Sequence, residues 1–397
     1  MDTQLILHIG QHKTGSKALQ SAFFSNRKLL AEKGVFYPVL NPKNQVKAYE
    51  ISHFKLFAIL RHEVMNELDS DLADDYLSAH QSVMGQDRNL ETLFRSLSAE
   101  VRKKKYSTVI LSAEDLFDMH SAQEIGFNSE YIRSAVSKIY LCCDQVGFVP
   151  KVVVYLRRQD DLLIAHYNQY IKGAAFPELD FETYTSQFFP RLKSSSILRF
   201  WMDQFGQERV QFRPYEKETL SGGIVPDFFE SVLQMPIPKG WQEPKKDIES
   251  VNATPPRDYI EFIRIQKVQG NSKNSFPQEL ILQAALNSQK IGLNGSEWLS
   301  GNERKGLIEH LRDENLTLSD WSKRATEFYF TELNIQSDAE NLTYPGLSPA
   351  KAIEISKQVH ELWTKAKMNK FKARLTKLSW IGIASLILLF FFIKAIN

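Results

Sequence analysis

The sequence predicts an α/β protein, a parallel sheet with helices on both faces, and three observations carry that reading. Short apolar runs bounded by turn residues recur at Leu5 to Ile9, Thr108 to Ser112 (TVILS), Lys151 to Arg157 (KVVVYLR) and Val210 to Glu216 (VQFRPYE). Their length and β-branched content are those of buried strands. Helical spacing follows them, as at Ala18, Leu19, Ala22 and Phe23 after the first run. Between the first run and its helix lies a glycine-bounded turn, Gly10 to Gly15, followed by Ser16.

That turn is suited to an anion. Gly10 and Gly15 let the backbone approach a ligand closely, Ser16 can cap the next helix, and the N–H groups and positive dipole end of that helix face the same spot. Lys13 and Lys17 add two positive charges. The other reading of the stretch is a plain strand-to-helix turn with surface lysines. A nucleoside-triphosphate loop needs Lys directly after its second Gly and then Ser or Thr for Mg²⁺. Here Ser16 and Lys17 stand in the reverse order.

The chain has 397 residues, 43% hydrophobic and 24% charged, enough for one large core with an appendage. A net charge of +2 argues against a generally basic nucleic-acid binder, so any anion recognition is local. The two cysteines, Cys142 and Cys143, are adjacent, which disfavours a mutual bridge and fits a reducing compartment. Two thiols are too few for a Cys-rich zinc site. No charged-then-apolar segment precedes the first strand, so no signal peptide is expected.

Along the chain, the first helix breaks near Ser25 and Asn26, resumes through Leu29 and Leu30, and stops at Gly34. Val35 to Tyr37 makes a short strand ended by Pro38, and His53 follows some way beyond. The stretch from Ile51 to Lys105 is mostly helical, and its acidic cluster at Asp69, Asp71, Asp74 and Asp75 reads as a solvated face. After TVILS, Glu114 falls at the carboxyl edge of a parallel sheet, where ligands bind. It is a candidate base, or equally a first-turn acid of the next helix. Arg157 and Arg158 end KVVVYLR and offer forked donors suited to phosphate, or else a structural ion pair with Asp160 or Asp161. Arg213 lies in the last strand, either as a nucleotide contact or as a buried structural arginine. Pro236 to Pro256 reads as a long loop, and helical spacing resumes from Arg257 to about Phe330.

His12, Lys13, Thr14, Gly15 and Ser16 resemble the 5′-phosphosulfate loop of the sulfotransferases that use 3′-phosphoadenosine 5′-phosphosulfate (PAPS). Lys17 stands where a second hydroxyl is commoner. The GVFYP stretch with His53 beyond it, the order FG, strand, RPY, GG, DFF from Phe205 to Phe229, and Glu303 to Phe330 with Asn315 and Trp321 are similar to the bacterial branch of that family. Arg157 and Arg158 resemble its 3′-phosphate motif, except that the expected Ser falls on Ala165 counting from Arg157 and on His166 counting from Arg158. The resemblance implies a P-loop nucleotide-kinase-like fold and sulfuryl transfer from PAPS to a hydroxyl or amine. Lys13 would sit on the bridging oxygen and Thr14, Gly15, Ser16 and Lys17 on the 5′ end. Arg157 or Arg158 would bind the 3′-phosphate, Glu114 or His53 would act as base, and no metal would be needed. A P-loop kinase or nucleotide hydrolase, and an inactive membrane-tethered nucleotide- or glycan-binding protein, are the alternatives.

The expected organisation is a sulfotransferase-like domain over 1–345, its helical part about 257–330, a basic helical linker over 346–378 and a transmembrane anchor over 379–396. Ser348 and Pro349 make a plain helix start. Lys365, Lys367, Lys370, Lys372, Arg374 and Lys377 precede the apolar stretch Trp380 to Ile393, which is short for a span but within reach if flanking lysines snorkel. The basic run places the main domain on the cytoplasmic side. A membrane tether makes a glycan or glycolipid acceptor the natural expectation.

Overall fold

The computed structural model describes residues 3–40, 51–85, 88–120, 124–173, 178–216, 220, 222–243, 255–269, 275–290, 298–322 and 344–369. The chain divides into two compact units. The first comprises Met1–Ala174, Leu179–Asn252 and Leu299–Asn341. It is α/β, built on parallel strands β1 (Thr3–His8), β2 (Val35–Phe36), β3 (Thr108–Ser112), β4 (Phe148–Leu156) and β5 (Val210–Pro214). Their order in the sheet is β2-β3-β1-β4-β5. Around it lie α1 (Ser16–Ser25), α2 (Arg27–Glu32), α3 (Phe54–Leu68), α4 (Ser70–Met84), α5 (Leu90–Lys104), α6 (Ser129–Val146), α7 (Gln159–Gly173), α8 (Phe181–Phe188), α9 (Ser194–Phe205) and α10 (Ile224–Phe228).

Strand periodicity divides the core in two. Ile6, Ile110, Val153 and Tyr155 share a cluster with Leu19, Ala22 and Phe23 of α1, Leu30 of α2 and Phe228 of α10. Leu5, Leu7, Val109, Leu111, Val152 and Val154 share another with Phe57, Phe94, Ile139 and Trp201 of α3, α5, α6 and α9. Successive strand residues alternate between the clusters because their side chains leave opposite faces. The runs read as continuously apolar because both faces are covered. Each fully buried Leu, Ile or Phe contributes roughly 1.5–3 kcal/mol.

The second unit comprises Ala175–Glu178, Ala253–Trp298 and Leu342–Asn397. Its helices Arg257–Val268 and Gln278–Lys290 are joined by a third over 349–369. Within it the Arg257 guanidinium lies 3.5 Å from the Tyr344 ring centre and 4.7 Å from that of Trp298. Tyr344 in turn donates to Asp258 Oδ1 at 2.7 Å.

The expected fold is corrected at its C-terminal end. Among the described residues no helix is long and apolar enough to cross a membrane. The apolar stretch behind the expected anchor, 379–396, lies outside them, as do the basic run from 370 onward and residues 244–254 of the expected loop.

Candidate functional site

β1 pairs with β3 on one side and β4 on the other, all parallel, with Leu7 opposite Leu111 and Val152. The chain leaving β1 travels to β2 at one edge, whereas the chain leaving β3 crosses to β4 beyond β1. Connections therefore part at the carboxyl end of β1, the place in an open α/β sheet where a crevice forms. Residues 9–16, Ala113 to Asp115 and Arg157–Arg158 all meet this edge.

Within the turn, Gly10, Lys13 and Gly15 have φ of 54°, 67° and 78°. Both glycines are required by close neighbours. A Cβ on Gly10 would lie 3.0 Å from the Glu114 backbone and from Ser16 Oγ, and one on Gly15 would lie 3.0 Å from the Tyr215 ring. Lys13 has no such licence, so its left-handed conformation costs of order 1 kcal/mol and is held by its surroundings. Arg157 Nη1 donates to the Lys13 carbonyl at 3.0 Å, and the Arg157 N–H donates to Gln11 Oε1 at 2.8 Å. Thr14 Oγ1 donates to the Gln11 carbonyl at 2.6 Å, tightening the turn. Backbone amides in such a sequence of conformations form an anion-binding concavity. Gly15 supplies no side-chain cap to α1, which leaves donor capacity in its first turn. Ser16 Oγ is buried beside Gly10 with no hydrogen-bond partner among the described residues, a cost unless a ligand meets it.

Lys13 Nζ donates to Gln169 Oε1 of α7 at 2.8 Å. Burial first, then Lys172 and Lys17, pull its pKa down to about 8, with Arg157 adding to the fall and Glu114 opposing it. Glu114 opens the 3₁₀ turn Glu114–Leu116 directly after β3, its Cα and Cβ against Gly10. The geometry thus brings together Lys13, Thr14, Gly15, Ser16, Lys17, Arg157 and Glu114.

Other predicted residues are placed elsewhere or turned away. His12 belongs to the turn, but its Nε2 donates to the His120 carbonyl at 3.0 Å and lies 3.8 Å from Asp115 Oδ1, inward from the edge. Arg158 closes on Asp160 through Nε at 2.7 Å and Nη2 at 3.1 Å, and Arg304 joins the same carboxylate at 2.5 Å. Arg213 closes on Asp227 at 2.7 and 2.5 Å, and Tyr155 Oη donates to the same carboxylate. His53 has both ring nitrogens engaged. Nδ1 accepts from the Ser112 N–H at 2.7 Å and Nε2 donates to the Pro38 carbonyl at 2.8 Å. Burial holds its pKa down at about 4, so the ring is a neutral brace between β3 and the segment leaving β2.

Sequence reasoning missed Gln11, Gln169, Lys172 and a buried polar cluster under the turn. In that cluster Arg191 Nε meets Asp118 Oδ2 at 2.6 Å, and the His12 and His166 rings lie 5.6 Å apart. Burial pushes Asp115 up to about 7 against the pull of His12. The signal for Gln169 and Lys172 was present as helical spacing: with Ala165 they fall on one face of α7. Among the described residues no group of His, Cys, Asp and Glu could hold a metal ion.

No family model matches the chain, and no curated protein matches it. One solved structure does. It is a sulfotransferase from Alicyclobacillus acidocaldarius, 13% identical, covering 82% of this chain and 97% of its own, with a TM-score of 0.37. That likeness is too loose to carry either fold or chemistry over to this chain.

Proposed function

We propose that this chain is a PAPS-dependent sulfotransferase acting on a hydroxyl or amine. The carrying observation is Lys13, held in a strained left-handed turn at the sheet's carboxyl edge, its pKa lowered by neighbouring cations and raised by Glu114, whose backbone lies against Gly10 of the same turn. The residues fit the donor. Its 5′-phosphosulfate matches the amide concavity, the orphaned Ser16 hydroxyl and the lysines, and its 3′-phosphate falls to Arg157, because Arg158 is committed to Asp160. Ser16 and Lys17 stand in the wrong order for a Mg²⁺-nucleotide loop. When bound, PAPS supplies an activated sulfuryl group on a phosphate leaving group.

Sulfuryl transfer, like phosphoryl transfer, asks mainly for positioning and charge stabilisation. Glu114 accepts the acceptor's proton as the new oxygen–sulfur or nitrogen–sulfur bond forms. The bond from sulfur to the bridging oxygen breaks, and the electron pair stays on the phosphate. Lys13 donates a hydrogen bond to that oxygen as its charge grows, and the turn amides hold the phosphate in place. Glu114 takes precedence over His53 as base because both His53 nitrogens are occupied.

The test is release of adenosine 3′,5′-bisphosphate from PAPS with a panel of simple alcohols, phenols, amines and sugars. Release that needs no Mg²⁺ and disappears in Lys13→Ala and Glu114→Gln supports the reading. Turnover intact in Lys13→Ala, or a strict Mg²⁺ requirement with ATP as donor, overturns it.

A further inference from the structure

Gln11 stands where β1 and β4 part. The last pairing between them sets His8 opposite Val153, and the Ile9 N–H donates to the Val153 carbonyl at 3.0 Å. β4 runs on to Leu156 while the chain leaving β1 has already turned at Gly10, so the Arg157 N–H lies past the end of the ladder. The side chain of Gln11 meets it there, with Oε1 accepting at 2.8 Å. Its Nε2 donates to Oγ of Ser194, the first residue of α9, at 3.2 Å. The amide is thus met at both ends, and at 3% exposure it is buried, where an unmet amide is costly.

The main chain of Gln11 belongs to the same frame. Thr14 Oγ1 donates to its carbonyl at 2.6 Å, and two residues along the turn the Lys13 carbonyl accepts from Arg157 Nη1 at 3.0 Å. These bonds close a ring. Gln11 holds the Arg157 main chain, the Arg157 guanidinium holds the Lys13 carbonyl, and Thr14 folds the turn back onto Gln11. Lys13, with φ of 67°, is the strained member. Among the described residues the bond to Lys13 is the one side-chain hydrogen bond of Arg157. A guanidinium carries five N–H donors, so this arginine can hold the turn and meet a phosphate at once.

We infer that Gln11 is a positioning residue of the anion site: by fixing the end of β4 to the turn after β1, it sets the spacing between the Arg157 guanidinium and the Lys13 turn, so that both ends of one ligand are gripped together. The inference rests on the sulfotransferase reading for the 3′-phosphate at Arg157, but not for the ring of bonds that shapes the turn. A nucleotide with phosphates at both ends depends on that spacing, whereas AMP depends on the turn alone.

The experiment is calorimetric titration of the full chain with adenosine 3′,5′-bisphosphate and AMP, for the native protein, Gln11→Met, Arg157→Ala and the double variant. Gln11→Met keeps the length of the side chain and removes both of its hydrogen bonds. It should bind the bisphosphate about tenfold more weakly and AMP about threefold, the scale of one buried hydrogen bond. In the Arg157→Ala background the same change should cost the bisphosphate less than about twofold, because residues that act through one another are not additive. If Gln11→Met melts below the assay temperature, Gln11→Asn takes its place with the same expectations, since it stays polar but is one methylene shorter. Additive losses in the double variant, equal losses for the two ligands, or an unchanged bisphosphate affinity overturn the proposal, because a merely structural glutamine would move both ligands alike and independently of Arg157. If the native chain binds no bisphosphate, the sulfotransferase reading fails and pyrophosphate replaces it as probe. A loss of pyrophosphate affinity of about threefold in Gln11→Met that is absent in the Arg157→Ala background upholds the positioning role. An additive loss, no loss, or no pyrophosphate binding overturns it as well.

Discussion

Two corners of one sheet edge carry positive charge and dispose of it in opposite ways. At the end of β4, Arg158 and Arg304 close on the fully buried Asp160, and Arg304 also reaches Asp161 at 3.0 Å. Two cations meet two anions, and Arg158 Nε and Nη2 and Arg304 Nη1 all donate to those carboxylates. At the end of β1, burial and the charges of Lys172, Lys17 and Arg157 lower the Lys13 pKa, and Glu114 raises it. The first corner raises the Arg158 and Arg304 pKa values against burial, whereas the second lowers that of Lys13. At the first corner carboxylates of the fold hold the cations, whereas the charges acting on Lys13 are three cations and one carboxylate, which is why the second corner is the one proposed to take an anion.

The comparison breaks most directly at Lys13. Lys13→Ala should lower turnover by about a thousandfold, the loss of roughly 4 kcal/mol of transition-state stabilisation. Its melting temperature should stay level, and Lys13→Asn, which tolerates the left-handed turn, should melt slightly higher. A large fall in melting temperature would mean that Lys13 belongs with the structural corner.

Asp160→Asn should do the reverse. It leaves two arginines around a neutral amide in a buried site, for a cost of about 3 kcal/mol read from urea unfolding. Its affinity for adenosine 3′,5′-bisphosphate should change less than threefold. A selective loss of binding without loss of stability would show that the β4 corner is also part of the ligand site.

Gly10→Ala sharpens the same contrast at smaller cost. Its methyl group would press on the Glu114 backbone and Ser16 Oγ at 3.0 Å from a left-handed position, for about 1–2 kcal/mol of stability. Because it moves the turn and the base together, turnover should fall even at temperatures where the variant is fully folded.

A pH dependence of stability comes from the buried histidines. Burial lowers the pKa of His8 to about 3 and of His53 to about 4, and that of His166 well below its usual value. An ordinary histidine titrates near 6.5, so on acidification the unfolded chain takes up these protons first. The stability they hold is complete above about pH 6.5 and is lost as pH falls toward their folded values. Asp115, raised to about 7, acts in the opposite sense: its folded form binds the proton first, which adds stability as pH falls through 7. Three histidines outweigh one aspartate. The urea midpoint should therefore fall between pH 7 and 5, by up to roughly 1.4 kcal/mol per pH unit for each uncompensated group. A midpoint that rose over this interval would place these rings on the surface.

What the sequence disclosed follows from where the physics is local. β1, β3 and β4 were legible because strands covered on both faces read as unbroken apolar runs. The anion turn was legible because its glycines and lysines are consecutive. Arg157 and Arg158 were not separable, since both end the same strand and only their opposite directions, one to Lys13 and the other to Asp160, decide between them. His53 gave no warning, because its partners are main-chain groups of Pro38 and Ser112, which have no sequence signature. Gln169 and Lys172 share a helical face with Ala165 that the spacing shows, but only the fold sets that this face of α7 lies at the sheet edge. The apolar stretch near the C-terminus suggested a membrane span, but no described helix is of that kind.

The account stands or falls on what the β1 corner binds, and calorimetric titration of the full chain with adenosine 3′,5′-bisphosphate, AMP and ATP, each with and without Mg²⁺, measures that directly. The predicted result is Mg²⁺-independent binding of the bisphosphate at least tenfold tighter than AMP, with that preference lost in Arg157→Ala and retained in Arg158→Ala. Equal binding of AMP and the bisphosphate, or ATP binding that requires Mg²⁺, would contradict it.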